Sequence, residues 1–189
     1  MKKVLAILVC MTALLTAGEY QVDKTKENLV KFISDAPIED FEGVTDKIDG
    51  YIYWQGEDLT SESEIYLEVD LNALDTGIGL RNRHMRENYL ETDKFPITYF
   101  QGKIASSTKK TEDVQVLNSE GSIFIHGIKR PLKVEGTLTK AGEGYRIQAE
   151  FIVKLSDFEI QIPSIMFYKI DEDMQLILDF YIKKIVGKQ

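Results

Sequence analysis

The chain has 189 residues, and its 23 basic and 31 acidic residues give a formal net charge of −8. Such an acidic surface repels nucleic-acid phosphates and anionic headgroups, so nucleic acid is not expected as a partner. A single cysteine, Cys10, excludes a disulfide framework and a metal site built from several thiolates.

Residues 1–18 are predicted to be a secretory signal peptide. Two lysines precede an apolar run over residues 4–15, and small residues follow it. The run is too short, and wrongly flanked, for a membrane-spanning helix. Cleavage is expected near Ala17 or Gly18, which leaves one domain without a transmembrane segment, periplasmic or secreted.

Lipoprotein processing at Cys10 is a second option, which the bulk of the preceding Val9 disfavours. With cleavage near Ala17 or Gly18, Cys10 leaves with the signal peptide, which removes thiol catalysis and thiolate metal sites. The remaining domain, residues 19–189, is long enough to bury a core without a covalent staple.

Alternation of apolar and polar residues with a period of two dominates the rest of the sequence. In residues 145–155, YRIQAEFIVKL, the odd positions are apolar and nearly all even positions are polar. A change of apolar phase at Gly121 predicts a β-bulge. Eight segments of this kind are predicted as strands, at 28–34, 44–55, 62–72, 96–104, 113–127, 131–139, 144–155 and 173–184.

Eight long antiparallel strands with one apolar face each can close as a sandwich or as a barrel, and their length favours the barrel. A barrel of eight strands can be filled by its own side chains or can hold one small ligand. The alternation does not decide between these two interiors.

Only residues 78–90 have a helical pattern. At about 100° per residue, Ile78, Met85 and Tyr89 share a narrow face, with Asn82 at its edge. Asp75 or Thr76 could cap the start of this helix. A short amphipathic helix between strands is expected to lie across one mouth of the barrel, with its arginines at the rim.

Three stretches together resemble the YceI family of exported, lipocalin-like bacterial proteins. They are DTGIGLRNRHMRENYLETDKFPITYF at 75–100, SIFIHGIKRPLKV at 122–134 and LSDFEIQIP at 155–163, in the family's order. The resemblance implies an all-β, eight-stranded antiparallel, lipocalin-like barrel whose apolar interior takes a polyisoprenoid or similar amphiphile. Asn82 stands where the family commonly has an acid, which removes that charge from any headgroup or salt-bridge role.

With this resemblance, the inward apolar residues are predicted to line a lipid cavity rather than a filled core. The predicted lining consists of Leu67, Val69, Ile78, Met85, Tyr89, Phe151, Val153, Met174, Leu176, Leu178 and Phe180. Arg81, Asn82 and His84 are predicted to contact a headgroup or to form the rim, since the planar guanidinium suits phosphate and carboxylate.

The predicted function is therefore non-catalytic binding, storage or transport of an isoprenoid-type lipid, with no cofactor beyond a bound lipid or quinone-like ligand. Two other functions stay open. One is an enzyme acting on a bound amphiphile through His84 or His126, and the other is a filled barrel that serves as a protein-interaction module. No metal site is predicted, since no HExxH-like spacing exists. A homodimer through a barrel edge is compatible with the sequence but not required by it.

Overall fold

The computed structural model describes residues 17–35, 40–162 and 170–185. Residues 1–16 of the predicted signal peptide and Pro163 of the third family stretch lie outside these ranges, so the signal peptide and its cleavage stay predictions.

The described residues form ten strands and one short helix. The strands are β1 (Ala17–Val22), β2 (Leu29–Asp35), β3 (Asp40–Thr45), β4 (Ile48–Gln55), β5 (Glu64–Asp70), β6 (Ile97–Lys109), β7 (Val114–Ile125), β8 (Ile128–Ala141), β9 (Gly144–Lys154) and β10 (Asp173–Lys184). The helix α1 (Gly79–His84) continues as a π-helical turn (Met85–Tyr89), and 3-10 turns occupy Leu71–Ala73 and Leu155–Phe158.

All neighbouring strands are antiparallel, and the sheet closes on itself because β1 pairs with both β4 and β10. β1 and β2 pair with successive parts of the same edge of β10. β3 pairs with β2 in the same way that β4 pairs with β1. β1 with β2, and β3 with β4, therefore each fill one position of the ring. The predicted closed, eight-stranded antiparallel barrel is confirmed.

Two strand predictions need correction. The single strand predicted over 44–55 is broken, because the Lys47 amide donates to the Thr45 hydroxyl (3.1 Å) in a turn between β3 and β4. β1 was absent from the predicted strands. Its described part offers only Tyr20 and Val22 as apolar residues at alternate positions, too few for a periodic signal.

The predicted bulge at Gly121 is wrong. The β6–β7 register is irregular between Ile104 and Ser106 on β6, whereas Gly121 pairs regularly with Gly102. Leu117 and Ile123 lie on the same inner face on either side of Gly121, so the strand has no phase change. Gly121 instead allows close strand approach, since a Cβ there would lie 2.2 Å from the Gln101 carbonyl oxygen.

Aromatic side chains fill one end of the barrel. The rings of Tyr20 and Trp54 stack with centroids 4.4 Å apart, and Tyr145 packs edge-on against both, at 5.3 and 5.9 Å. Burial, with a smaller contribution from Tyr145, raises the pKa of Tyr20 to about 12. These rings belong to a buried cluster with Phe180 and Ile182, which closes this end against solvent.

Candidate functional site

A cavity of about 580 Å³ lies inside the barrel, between the aromatic end and residues 78–90. Packed protein cores hold few voids larger than a water molecule, and ligand pockets span roughly 300–1,000 Å³. The barrel of the described residues is therefore hollow and not filled by its own side chains. A filled barrel, the basis of the interaction-module alternative, does not describe this structure.

The structure places all eleven residues of the predicted lining on the wall of this cavity. They reach it from β5, β9 and β10 and from residues 78–89. The prediction that they contact a ligand is not tested by this placement.

Sequence reasoning missed much of the wall. Further lining side chains come from β2, β4, β6, β7 and β9 and from the segment after β5, among them Phe32, Ile52, Leu74, Phe100, Ile123 and Ile147. The inward positions of those on strands follow the same alternation as the predicted residues. That alternation is the signal in the sequence that identifies them as lining residues.

Residues 78–90, here called the cover, lie across one end of the cavity. The predicted helix is confirmed over residues 79–89, although its second half is π-helical. Met85 is buried with Leu71 and Leu74, which follow β5, and so holds the cover to the barrel. Ile78 and Leu80 line the cavity and are nevertheless 51% and 56% exposed. The cover therefore leaves part of its apolar face open to solvent.

Asn82 ties the cover to the segment before it and does not lie on the cavity wall. Its carboxamide oxygen accepts hydrogen bonds from the Thr76 amide (2.8 Å) and hydroxyl (2.7 Å). Its Nδ2 donates to Asp75 Oδ1 (2.7 Å). Asp75 and Thr76 thus bind Asn82 rather than capping the helix, whose N-cap residue, Ile78, has no side-chain cap.

The Asn82 contact also affects the charge of Asp75. Hydrogen bonds from the Asn82 side chain and then from the Gly77 amide, with a weaker contribution from Arg86, hold the pKa of Asp75 below its usual value. An asparagine at this position donates a hydrogen bond to Asp75, which a carboxylate could not do. Its role in the structure is positional rather than that of a rim residue.

The cover contributes one guanidinium group, that of Arg81, and one imidazole group, that of His84, to the cavity wall. Arg81 Nη2 donates to the Thr76 carbonyl oxygen (2.7 Å), and its guanidinium lies 4.7 Å from the centre of the Phe41 ring. His84 is exposed at the mouth. A polar group of a bound amphiphile would meet these two side chains if it stayed at this end.

His126 lies in the turn between β7 and β8 and is not on the cavity wall. Its Nδ1 is 3.0 Å from the Phe158 carbonyl oxygen, and its Nε2 is 3.1 Å from Glu91 Oε2. Hydrogen bonds from Lys94 and then His126 hold the pKa of Glu91 below its usual value. The structure therefore does not bring His126 and His84 into one site.

The barrel wall is interrupted between β8 and β9. Their ladder ends at the pair Gly136–Ala149, although β8 begins earlier, at Ile128, and β9 continues to Lys154. Pro131, which has no amide hydrogen, lies in the part of β8 that does not pair with β9, as expected for a strand edge.

Residues 155–160, here called the strap, pack against this interruption. Arg130 Nε on β8 donates to the Asp157 carbonyl oxygen (2.8 Å), and His126 contacts the next carbonyl group. Phe158 and Ile160 are buried in the same cluster as Val153 on β9. The strap thus closes the side of the cavity with side chains where backbone pairing stops.

These features define the class of closed, lipocalin-like β-barrels with an apolar cavity and a helical cover. The chain belongs to the YceI family, since the model of the YceI-like domain matches residues 20–182.

Curated relatives of similar length include Protein YceI of Salmonella newport, which is 29% identical over 165 residues, 82% of this chain and 83% of the relative. A UPF0312 protein of Pectobacterium carotovorum is 27% identical over 174 residues, 85% and 88% of the two chains.

Solved structures share the fold at low sequence identity. BcnA of Burkholderia cenocepacia has a TM-score of 0.70 and 15% identity, over 85% of this chain and 98% of that one. A polyisoprenoid binding domain from Saccharophagus degradans has a TM-score of 0.69 and 17% identity, over 88% and 98%.

Two features are absent from the described residues. None of their helices is long and apolar enough to cross a membrane. Within the same residues, no group of three or more His, Cys, Asp and Glu side chains is placed to hold a metal ion.

Proposed function

We propose that this protein binds an isoprenoid-type or other amphiphilic lipid in its barrel cavity and stores or carries it outside the cytoplasm. The observation that carries the proposal is the apolar cavity of about 580 Å³ inside the barrel. Removing an apolar chain from water into this space supplies the driving force, which is proportional to the area buried and has no preferred direction.

The volume sets the size of the ligand. An engineered cavity of about 150 Å³ accepts benzene, so 580 Å³ corresponds to roughly 20–25 heavy atoms. At about 0.3 kcal/mol per heavy atom this gives roughly 7 kcal/mol, a dissociation constant of the order of 10 μM. A longer chain would extend past the cover.

The family supports the same class of ligand. The Saccharophagus degradans neighbour is described as a polyisoprenoid binding domain, and its fold covers most of this chain. Export, by way of the predicted signal peptide, belongs to the proposal as well, because an exported carrier would move a water-insoluble lipid across an aqueous space.

Binding without catalysis fits the chemistry of the wall. His84 is the imidazole among the described lining side chains, and it lies exposed at the mouth. His126 instead contacts the Phe158 carbonyl and Glu91 off the cavity wall. An enzyme acting on the bound amphiphile would have to use His84, so His84→Ala separates the two functions: a carrier keeps its lipid.

Gentle purification followed by native mass spectrometry and solvent extraction tests the proposal. A stoichiometric, extractable lipid of about 20 or more carbon atoms is expected. If none co-purifies, titration of the protein with a fluorescent polyisoprenoid should still show saturable binding near 10 μM. A clean apo mass together with no saturable binding would overturn the proposal.

A further inference from the structure

The strap covers a part of the cavity wall where no strand ladder closes the barrel. Leu132 on β8, Phe151 on β9, and Leu155 and Ile160 of the strap all line the cavity. The cavity therefore reaches the interruption between β8 and β9. Within the part of the chain that the structure describes, it is the strap that packs across this interruption.

The strap is firmly attached on the side of β9 and β10. The Leu155 amide donates to the Glu172 carbonyl oxygen (2.9 Å), which continues the main-chain hydrogen bonding between β9 and β10 by one further bond. Next to it, Lys154 Nζ lies 3.4 Å from Glu172 Oε2. This side of the strap is therefore continuous with the ladder of the barrel.

On the β8 side, side-chain contacts replace the ladder. Among the described residues, no main-chain hydrogen bond joins the strap to β8. Arg130 Nε donates to the Asp157 carbonyl oxygen (2.8 Å), and His126, in the turn before β8, contacts the Phe158 carbonyl oxygen (3.0 Å). Leu132 packs against the cluster that contains Phe158. The β8 side is therefore the weaker of the two attachments of the strap.

The strap is also a self-contained turn. The Ile160 amide donates to the Leu155 carbonyl oxygen (3.1 Å), and the Glu159 amide donates to the Ser156 carbonyl oxygen (3.2 Å). Glu159 has a left-handed backbone conformation, with a φ of 56°, at the point where the turn ends. Because these hydrogen bonds lie inside the turn, a movement of the strap away from β8 leaves their donors and acceptors paired.

We infer that the strap is a lateral gate, which swings away from β8 about its junction with β9 and lets a lipid chain enter and leave through the side of the barrel. The inference rests on the proposed function, because it gives the route of the proposed ligand. A long flexible chain that enters through a lengthwise opening does not have to pass the mouth end first. The cover, in contrast, is held by the hydrogen bonds of Asn82 and by the buried Met85, and it stays in place.

Reversible cross-linking of the strap to β8 tests this route. Arg130→Cys and Asp157→Cys place thiols on two exposed residues that are in contact, and Cys10→Ala removes the natural thiol from every variant. A bifunctional methanethiosulfonate reagent joins the two thiols until a reductant cleaves it. The protein is loaded with a fluorescent geranylgeraniol analogue, and release is followed by stopped flow after excess unlabelled geranylgeraniol is added. The cross-link is expected to slow release at least about ten-fold, and the reductant to restore it.

The controls alter the same region without touching the strap. Lys133→Cys with Glu120→Cys cross-links β8 to β7, where these two residues pair directly, and should leave the release rate unchanged. Arg130→Met removes the hydrogen bond to Asp157 and should speed release and association alike, roughly five-fold, with an unchanged dissociation constant. Lys133→Met loses only its surface contact with Glu120 and should release the lipid like the wild type.

Unchanged release after the strap is cross-linked, or equal slowing by the control cross-link, would overturn the inference. A larger acceleration by Asn82→Ala than by Arg130→Met would also do so, since the lipid would then pass at the cover. A purely structural role of Arg130 would change the dissociation constant and leave the cross-link without effect. Absence of saturable binding at equilibrium would overturn the proposed function and the gate together, whereas saturable binding with release rates that no strap variant changes contradicts the gate alone.

Discussion

Asn82 and Asp75 are joined by a hydrogen bond of 2.7 Å from the side-chain amide to the carboxylate. This bond, together with the two that Asn82 accepts from Thr76, fixes the first turn of the cover to the chain segment that leaves β5. The cover of the cavity is thus held by a short-range polar contact as well as by the burial of Met85.

Replacing Asn82 tests this anchor. Asn82→Ala removes all three hydrogen bonds and should lower the free energy of unfolding by about 1–2 kcal/mol. Asn82→Asp can still accept from Thr76, but at neutral pH it places a second carboxylate against Asp75. Thermal unfolding at pH 7 should rank the wild type above both variants.

The pH dependence separates the two variants. Two adjacent carboxylates raise the pKa of one of them, so the folded Asn82→Asp variant binds a proton that the unfolded chain does not hold at the same pH. Its stability should therefore be present at low pH and decrease as pH rises through this raised value. Asn82→Ala should show no such recovery toward acid. An Asn82→Asp variant as stable as the wild type at pH 7 would contradict the proposed anchor.

Phe151 and Ile152 are neighbours on β9 with opposite orientations. Phe151 lines the cavity, and Ile152 is 63% exposed. Phe151→Asp should abolish lipid retention, because it buries an unpaired charge in the apolar wall. The matched control, Ile152→Asp, should keep its lipid. The comparison requires circular dichroism that shows both variants folded, and lipid loss in both would contradict the assigned cavity.

The affinity of the protein for a polyisoprenoid should depend on the length of that lipid, differently for short and for long lipids. Dissociation constants for polyisoprenoids are expected to fall as the chain grows, up to roughly 20–25 carbon atoms, and then to change little because further atoms lie outside the cavity. Isothermal titration with a length series measures this. Equal affinity for short and long chains would contradict an apolar cavity as the binding site.

The lowered pKa of Asp23 predicts that the free energy of unfolding decreases in acid. A hydrogen bond from Lys183 (2.8 Å), and next one from Thr25, lowers the pKa of Asp23 to about 2. A group with a depressed folded pKa stabilises the fold above its unfolded value of about 3.8, and this contribution is lost as pH falls toward 2.

The Asp23→Asn variant should therefore be less stable than the wild type at pH 6, and the difference should shrink between pH 4 and 2. Chemical denaturation over this range measures it. Asp58→Asn should show a pH dependence of the same sign, because hydrogen bonds from Thr60 also lower the pKa of Asp58, and it is the reference for a carboxylate whose contacts stay within a local turn. A difference that does not vary with pH would show that the Asp23–Lys183 pair does not set the acid response.

The sequence was enough for most of the strands and for the place of the cover, and with the family resemblance for the barrel, but not for β1 or for the break between β3 and β4. Alternation is a local property, so it assigned Phe151 to the inside and Ile152 to the outside, and the 3.6-residue period placed Met85 on the inner face of the cover. The motifs around Asn82, His126 and Leu155 were enough for the family.

The tertiary structure decided what alternation could not. The empty volume depends on the barrel radius and on side chains from all of its strands at once, and no segment carries that information. The same holds for Asn82, whose partners Asp75 and Thr76 are near in sequence but meet it only because the chain turns before α1. It holds also for the ladder that ends at Gly136–Ala149, since strand pairing joins residues that are distant along the chain.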